Sequence, residues 1–334
     1  MVSTEAAGTL YGSDVVLLLE LPDLKRCSDL NLVAGAFNKP KDGTGEGEDS
    51  YYVAEPTLGV ADGVGGLQSV LGHTSKGFAD SLMAGCRNSA QALPERIGPA
   101  EKAEHLLKEG YGQVKAVHGA ATAVVTYFDS RTRTLGVANL GDSGVMVVRR
   151  PTKRQGQDSN SSMYSTRSYI VFKSPAQQHD FNYPYQLCNL PKGLSKKLLR
   201  SPDSPSDCMT FDVEVEEGDL ILVYSDGVDD NLHDQEILEI CDRALSPYAA
   251  HVLGLSAEAA TQPDMVAKAI GSAAYVRSGN EKARTPFAEE ARKAGWPLAW
   301  CVGGKEDDIT CLAAWVAHGT FKQDDKDAKT QKAS

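Results

Sequence analysis

The sequence predicts an α+β domain in which antiparallel sheets are layered against helices. Strand-like segments come in adjacent pairs, as at 51–54 with 58–61 and at 120–128 with 134–140, and the helical patterns are grouped between these pairs. A parallel sheet would instead show strands and helices in regular alternation. No internal repeat and no shift in composition divides the chain, so we expect a single domain over residues 30–318.

The elements of the N-terminal half follow from short apolar runs and from one helical period. Phe78, Leu82 and Met83 recur at the spacing of a helix that ends near Pro94. The strands after the second helix are short and separated by turns, which predicts an antiparallel meander. In chain order the predicted elements are strands at 14–19, 30–37, 51–54 and 58–61, helices from Phe78 and over 100–118, and strands at 120–128, 134–140 and 144–149.

Turn and loop signals mark the C-terminal half. Residues 151–166 are rich in serine and asparagine, which predicts a polar, solvated insertion, and 174–208 show no clear period. Asn231 is placed to cap one helix, and Pro263 to begin another. We expect residues 1–29 to be a partly ordered N-terminal segment, and residues 319–334 to be a disordered charged tail. The remaining predicted elements are strands at 169–172, 209–215, 219–224 and 309–317 and a helix over 286–294.

Composition and charge narrow the class of protein. Of the 334 residues, 41% are hydrophobic and 24% are charged, as in soluble globular domains. The net charge of −11 argues against a general nucleic-acid or anionic-membrane binder, and no apolar run is long enough to insert into a membrane. Seven cysteines without a CxxC pair predict reduced thiols, not a disulfide framework or a zinc site.

The rest of the chain is organised around an aspartate on a glycine-rich turn. Asp62 ends an apolar run and is followed by Gly63, so a cation can approach its carboxylate without crowding. Asp142, Asp226 and Asp307 lie in three more motifs, each beside a strand-like run. Any one of these aspartates alone would be explained by turn formation or helix capping. The repeated pattern instead predicts that they meet in one site.

Oxygen-only, aspartate-rich sites suit Mg²⁺ and Mn²⁺. One carboxylate can bridge two such ions about 3.5–4 Å apart. A water shared between two ions loses a proton readily and becomes a nucleophile near neutral pH. The reaction that this arrangement serves best is in-line attack on phosphorus.

Five motifs in order resemble those of the metal-dependent serine/threonine protein phosphatases of type 2C, the PPM family. Further residues, at 177–187 and 285–288, make the chain similar to the branch that includes the mitochondrial type 2C phosphatases. The resemblance covers about residues 30–317 and implies a four-layer sandwich of two antiparallel sheets flanked by helices. The motifs are Gly-Glu-Asp at 47–49, Ala-Asp-Gly-Val-Gly-Gly at 61–66, Ala-Asn-Leu-Gly-Asp-Ser-Gly at 138–144, Ser-Asp-Gly-Val-Asp-Asp-Asn at 225–231 and Gly-Gly-Lys-Glu-Asp-Asp-Ile-Thr at 303–310.

The resemblance implies a Mg²⁺- or Mn²⁺-dependent enzyme that hydrolyses phosphoserine and phosphothreonine in a phosphoprotein substrate, by attack of a hydroxide that bridges two ions. Asp62 would bridge both metals, and the carbonyl of Gly63 would reach the first. A third, weaker ion is possible. The other implied roles are metal ligation by Asp226 and Asp307, acceptance of hydrogen bonds from metal-bound waters by Glu48 and Asp49, and ligation of the third ion by Asp142 and Asp230.

The sequence departs from the family pattern at two functional positions. Many members carry a histidine at the position of Val64 as general acid for the leaving serine, and valine cannot donate that proton. A metal-bound water or His179 would replace it, although a structural role for His179 is the alternative. Many members also carry a phosphate-binding arginine just before the Glu-Asp pair, and here only Lys39 or Lys41 could substitute as a point charge.

The sequence is also compatible with two other functions. The departures support a phosphatase fold that binds partners without catalysis. The Gly-Asp-Ser-Gly at Ser143 also occurs in chymotrypsin-like proteases, but no suitable histidine context is evident. The family branch implies mitochondria or another organelle. The first 30 residues, with five acidic and two basic side chains, instead suit a cytoplasmic protein if the sequence is complete.

Overall fold

Two antiparallel five-stranded sheets are stacked face to face, and helices cover the outer face of each. The computed structural model describes residues 30–43, 45–151, 167–191, 194 and 203–318. The predicted α+β sandwich with two antiparallel sheets between helices is confirmed. The predictions for 1–29, for nearly all of the insertion at 151–166, and for 319–334 lie outside the described residues.

The first sheet has the strand order β1-β14-β13-β7-β8 and the second has the order β12-β6-β5-β3-β2. Two-stranded ribbons join β9 with β10 and β11 with β4. In chain order the strands are β1 (Leu30–Lys39), β2 (Ser50–Ala54), β3 (Thr57–Ala61), β4 (Gly119–Ala121), β5 (Ala123–Asp129), β6 (Thr134–Leu140), β7 (Gly144–Arg149), β8 (Tyr169–Lys173), β9 (Gln178–Asp180), β10 (Tyr183–Pro184), β11 (Leu187–Asn189), β12 (Met209–Glu214), β13 (Leu220–Tyr224) and β14 (Ile309–His318).

The helices occupy the two outer layers. The long α2 and α3 pack on the second sheet, and α7 packs on β1 and β14 of the first. No helix in the described ranges is long and apolar enough to span a membrane. The helices are α1 (Gln68–Leu71), α2 (Lys76–Ser89), α3 (Pro99–Gln113), α4 (Asp226–Asp229), α5 (Asp234–Cys241), α6 (Pro247–Val252), α7 (Pro263–Ser278) and α8 (Pro286–Lys293).

Successive side chains of a strand point to opposite faces of its sheet, so the apolar side chains form three cores, one between the sheets and one on the outer face of each. Ile221 faces the layer between the sheets, where it packs with Val145, whereas the next residue, Leu222, faces the helices outside the first sheet. On the other side, Leu82 of α2 packs against Val125 of the second sheet, which confirms the predicted apolar face of that helix. Complete burial of each of these side chains stabilises the fold by about 1.5–3 kcal/mol.

The predicted meander is wrong in two places, and both lie beside the candidate site. The segment 120–128 is two strands, because Thr122 leaves the ladder and donates its backbone N–H to the carbonyl of Asp62 at 2.9 Å. β5 and β6 form a hairpin, but the chain then crosses to the first sheet at Asp142, where β7 pairs with β13. The turn at Glu217-Gly218 likewise joins strands of different sheets.

Two helix boundaries also differ from the prediction. α3 ends at Gln113 instead of near 118, because Asn189 of β11 donates to the carbonyls of Val114 and Val117 and holds that segment outside the helix. Asn231 does not cap α5, whose N-cap is His233. The six cysteines in the described ranges are free thiols.

Candidate metal centre and active site

The three aspartates at the centre of the prediction converge at one end of the sandwich. Asp62 follows β3 of the second sheet, Asp226 follows β13 of the first and begins α4, and Asp307 lies two residues before β14. The carboxyl groups of Asp62 and Asp226 are close enough for each to shift the pKa of the other, and the negative charges of Asp226 and Asp307 both raise the pKa of Asp62. Asp142 also lies within electrostatic reach of Asp226.

Two glycines allow the motif loops to approach this closely. A Cβ at Gly63 would lie 2.6 Å from the carbonyl oxygen of Glu48, and one at Gly227 would lie 2.2 Å from the carbonyl oxygen of Asp308. Real Cβ atoms do not make contacts this short, so any other residue would push the loops apart. Glycine is therefore required at these positions because the loops that carry the carboxylates pack backbone to backbone.

A lysine stands among the carboxylates. The ammonium Nζ of Lys305 lies 2.5 Å from Asp226 Oδ2, 2.6 Å from Asp230 Oδ2 and 3.1 Å from Asp307 Oδ2. In the described part of the chain, no three Asp, Glu, His or Cys side chains are already arranged around one point as metal ligands. The carboxylates are instead arranged around this ammonium. Lys305 lies within the motif at 303–310, but the sequence alone did not indicate this position among the carboxylates.

Asn231 holds Lys305 in place. Its side-chain Oδ1 accepts a hydrogen bond from the backbone N–H of Lys305, and its Nδ2 donates to the carbonyl of Lys305, both at 3.0 Å. The same Nδ2 donates to the carbonyl of Gly227 at 2.9 Å. Asn231 therefore fastens the 303–310 motif to α4.

The site contains more negative charge than Lys305 neutralises. Burial and neighbouring carboxylates raise the pKa of Asp62 well above its ordinary value. Burial and the charge of Asp226 likewise raise the pKa of Asp142 to about 7 and that of Asp307 to about 6. Burial alone would raise the pKa of Asp226 as well, but the Lys305 ammonium and the neighbouring Asp62 carboxyl group lower it. Such a cluster favours additional cations or protons.

Within the described ranges, three buried carboxylate oxygens have no hydrogen-bond partner: Asp49 Oδ1, Asp142 Oδ1 and Asp226 Oδ1. A buried polar atom without a partner is costly, so these atoms indicate a binding partner of positive charge or a donor. Carboxylate oxygens are the ligands that Mg²⁺ and Mn²⁺ prefer. The donor set, the unpartnered oxygens and the ammonium that lies among them all fit a site for divalent cations.

Glu48 and Asp49 brace the loops around the cluster. Glu48 Oε1 accepts the backbone N–H of Ser75 at 2.7 Å, just before α2. Asp49 Oδ2 accepts hydrogen bonds from the hydroxyls of Ser225 and Thr310, both at 2.7 Å, and so ties the end of β13 to the start of β14. Burial raises the pKa of Asp49 to about 7, although these two hydroxyls act in the opposite direction.

Asp308 has a structural role that the sequence analysis missed. Its carboxylate accepts hydrogen bonds from the backbone N–H groups of Lys41 and Glu48. It therefore closes the loop that carries Glu48 and Asp49 against the start of β14.

His179 is held by Asp203, which is not one of the predicted site carboxylates. Its Nε2 lies 3.0 Å from Asp203 Oδ1, and its ring stacks on Tyr185 with centroids 3.8 Å apart. The preceding residue of β9, Gln178, points the other way and donates to Asp142 Oδ2 at 2.9 Å. This geometry favours the structural interpretation of His179 over a role as general acid.

Lys39 and Lys41 differ in position. The Lys39 ammonium lies over the ring of Tyr275, 4.6 Å from its centroid. The Lys41 ammonium instead approaches Gly65, and its positive charge favours the ionised form of Asp307. Of the two lysines, Lys41 is therefore the one that faces the site. The hydroxyl of Ser143 is buried and bonded to Thr122, which does not support a serine-protease nucleophile.

Comparisons with known proteins give a consistent set of relatives, although no protein-family model matches the chain. The chain is 34% identical over 294 residues to probable protein phosphatase 2C 55 of Arabidopsis thaliana, a match that covers 86% of this chain and 52% of that protein. It is 30% identical over 335 residues to the protein phosphatase PTC7 homolog of Danio rerio, covering 96% of this chain and all of that one, 100%. The chain thus spans about half the length of the first relative and the whole length of the second.

Solved structures share the fold. The photosystem II phosphatase PBCP is 27% identical, superposes with a TM-score of 0.64, and is matched over 85% of this chain and 98% of that one. The Mycobacterium tuberculosis serine/threonine phosphatase PstP/Ppp, at 16% identity and a TM-score of 0.50, is matched over 86% of this chain and 100% of that one. The second likeness concerns the fold alone.

Proposed function

We propose a function from the premise that the chain belongs to the protein phosphatase 2C (PPM) family, alongside its PTC7 homologues. The family resemblance carried by the five motifs is thereby confirmed. The chain acts as a Mg²⁺- or Mn²⁺-dependent phosphatase on phosphoserine and phosphothreonine in proteins. The observation that supports this most is the convergence of Asp62, Asp226 and Asp307 around buried carboxylate oxygens that lack a partner.

Two ions would be held by Asp62, Asp226 and Asp307 together with the carbonyl of Gly63. A third would be held by Asp142 and Asp230, which also lie in the cluster. When bound, the ions supply positive charge for the phosphate oxygens and lower the pKa of the water that attacks phosphorus. This assignment requires the Lys305 ammonium to leave the carboxylates, since one set of oxygens cannot serve both.

The side chains around the ions have supporting roles. Asp49 keeps β13 and β14 together through Ser225 and Thr310, so that Asp226 and Asp307 stay side by side. Lys41, at the edge of the site, attracts the incoming phosphate as a point charge. Since Val64 cannot donate a proton and His179 is turned away, the leaving oxygen takes its proton from water.

The second candidate function is a phosphatase fold that binds a phosphorylated partner without turnover. The observation that favours it is the Lys305 ammonium, which occupies carboxylates that catalysis needs. Tight binding of a phosphopeptide, without phosphate release at saturating Mn²⁺, would select this function.

The proposed function is tested by phosphate release from p-nitrophenyl phosphate and from a phosphothreonine peptide, with Mn²⁺ and with EDTA. We expect activity only with Mn²⁺, and a loss of at least about a hundredfold in Asp62→Asn, since that change removes a ligand charge. The matched control is Asp264→Asn on the exposed surface of α7, which should keep full activity. Activity in EDTA, or full activity in Asp62→Asn, would contradict the metal mechanism.

The physiological substrate and compartment remain predictions. The solved relative PBCP is named a photosystem II phosphatase. The branch resemblance predicts an organellar location for this chain. Imaging of the full-length protein with a C-terminal fluorescent tag tests this. A uniformly cytoplasmic signal would contradict the organellar prediction.

A further inference from the structure

Four aromatic side chains form one surface beside the carboxylates, here called the aromatic patch: Phe181, Phe287, Trp296 and Trp300. Their rings are linked in a closed set, with centroids 5.2 Å apart for Phe181–Phe287, 5.5 Å for Phe181–Trp296, 5.3 Å for Trp296–Trp300 and 6.1 Å for Phe287–Trp300. They come from three places, namely the turn between β9 and β10, the first turn of α8, and the segment after α8.

The outer half of the patch faces solvent. Phe287 is 9% exposed, whereas Trp296 and Trp300 are 39% and 43% exposed. Apolar groups gathered at a solvent-facing surface commonly mark a binding site, and tryptophan is enriched among residues that dominate binding energy.

The patch is held in place. The backbone N–H of Trp296 donates to the carbonyl of Ala291 at 2.9 Å, and that of Trp300 donates to the carbonyl of Pro297 at 2.9 Å. Arg292 then fastens the loop by donating to the carbonyl of Cys301 at 2.7 Å. A ligand therefore meets preformed rings and pays little ordering entropy on binding.

The patch is continuous with the candidate metal centre. The backbone N–H of Phe287 donates to the carbonyl of Asp230 at 3.1 Å. The Lys305 ammonium lies 5.3 Å from the centroid of the Phe287 ring and 2.5 Å from Asp226 Oδ2, so ring and carboxylate are no more than about 8 Å apart. A molecule that places a phosphate on the ions therefore passes beside these rings.

We propose that the aromatic patch binds an apolar or aromatic side chain of the phosphoprotein substrate, close in sequence to the phosphorylated residue. An extended chain advances about 3.3 Å per residue. The nearest ring, about 8 Å from the carboxylate, is therefore about two residues from the phosphorylated position, and the rings beyond it are up to about four residues away. This inference rests on the proposed function and adds a substrate preference to it.

The experiment compares two phosphothreonine peptides that differ only in carrying leucine or glycine at the positions two to four residues from the phosphothreonine. Wild type should have a kcat/KM at least about tenfold higher for the leucine peptide, mainly through KM. In the double variant Trp296→Ala/Trp300→Ala this preference should fall to within about twofold. Loss of about tenfold corresponds to about 1.4 kcal/mol, a modest value for two tryptophans at a binding surface.

Three controls separate the patch from the proposed function. Turnover of p-nitrophenyl phosphate, which has no peptide, should stay within about twofold of wild type in the double variant. Leu253→Ala, at another side chain that is 65% exposed, should keep the leucine preference. An unchanged thermal melting curve shows that the double variant is folded, and the single variants replace it if it is not.

The proposal is overturned if the double variant loses activity equally on both peptides, or keeps the full leucine preference. It is also overturned if the substitutions only convert a dimer into a monomer on size-exclusion chromatography, since the patch then contacts a second copy. If wild type hydrolyses neither peptide nor p-nitrophenyl phosphate, the proposed function has failed on its own. Fluorescence polarisation of the labelled peptides then tests whether the aromatic patch binds the apolar side chain. If the double variant binds only the leucine peptide more weakly than wild type does, the proposal is supported. If it binds the leucine peptide as tightly as wild type does, the proposal is refuted.

Discussion

Replacing Lys305 with methionine is expected to lower the thermal stability of the metal-free protein and to increase its affinity for Mn²⁺. The ammonium lies within 2.5–3.1 Å of oxygens on Asp226, Asp230 and Asp307, and its side chain is 17% exposed. Methionine keeps most of the apolar stem but removes the charge. Three carboxylates are then left facing one another without a counter-ion.

The magnitude follows from the burial of this cluster. Removing one member of a buried ion pair costs about 3–5 kcal/mol, and the 12–24% exposure of the three carboxylates reduces this to about 2 kcal/mol through solvent screening. With an unfolding entropy of about 2.1 cal/mol/K per residue, a domain of about 290 residues then has its Tm in EDTA lowered by about 3 °C. Since Mn²⁺ no longer has to displace an ammonium, its Kd should fall by about tenfold or more, which corresponds to about 1.4 kcal/mol.

Differential scanning fluorimetry in EDTA and isothermal titration calorimetry with Mn²⁺ measure the two effects. The matched control is Lys268→Met on the exposed surface of α7, which should change neither Tm nor Kd. A Lys305→Met protein with the Tm and the Kd of wild type would refute the reasoning, because the ammonium would then contribute nothing at the site. Weaker Mn²⁺ binding would show instead that Lys305 supports the ions.

Four further predictions concern protonation and packing. Burial and nearby carboxylates raise the pKa of Asp142 to about 7 and that of Asp307 to about 6, so bound protons compete with the metal. The affinity for Mn²⁺ should therefore rise from pH 5 to pH 7, and calorimetry in two buffers should detect proton release on binding. An affinity that does not change with pH would contradict this. The same raised pKa values predict that the metal-free protein loses stability as pH rises from about 4 to 7. Over this range the carboxyl groups ionise in the unfolded chain, with a pKa near 3.9, but stay largely protonated in the folded one. A Tm in EDTA that increases from pH 4 to pH 7 would contradict this prediction. Val64→His should speed hydrolysis of a phosphoserine peptide several-fold but not of p-nitrophenyl phosphate, whose leaving group needs no proton, and equal effects on both substrates would exclude a general-acid role. Gly227→Ala should destabilise the fold by more than about 2 kcal/mol in urea denaturation, since the added Cβ would lie 2.2 Å from the carbonyl oxygen of Asp308, whereas Gly112→Ala in α3, with no atom within 4 Å, should be neutral or stabilising.

Local patterns in the sequence were sufficient for most elements but not for the way they pair. The helical period through Phe78 and Leu82 predicted α2 because those side chains face one core. The crossing from β6 to β7 at Asp142 was not predictable in this way, since a strand that stays in a sheet and one that changes sheets have the same alternation. The break at Thr122 depends on the carbonyl of Asp62, a partner some sixty residues away, and no local signal reports such a contact.

The candidate site shows the same limit. Asp62, Asp226 and Asp307 were predicted because a carboxylate beside a strand and a glycine-rich turn is a recognisable local pattern. Lys305 was missed, although a cation within an otherwise acidic motif was visible in the sequence, because only the fold shows that its ammonium reaches Asp226 and Asp230.

The measurement that tests the central claim most directly is a crystal structure at saturating Mn²⁺, with anomalous scattering recorded at the manganese edge. The account predicts two anomalous peaks about 3.5–4 Å apart, both within bonding distance of Asp62, with the Lys305 ammonium moved away from Asp226. A well-ordered Lys305 still bonded to Asp226, and no anomalous peak among Asp62, Asp226 and Asp307, would contradict it.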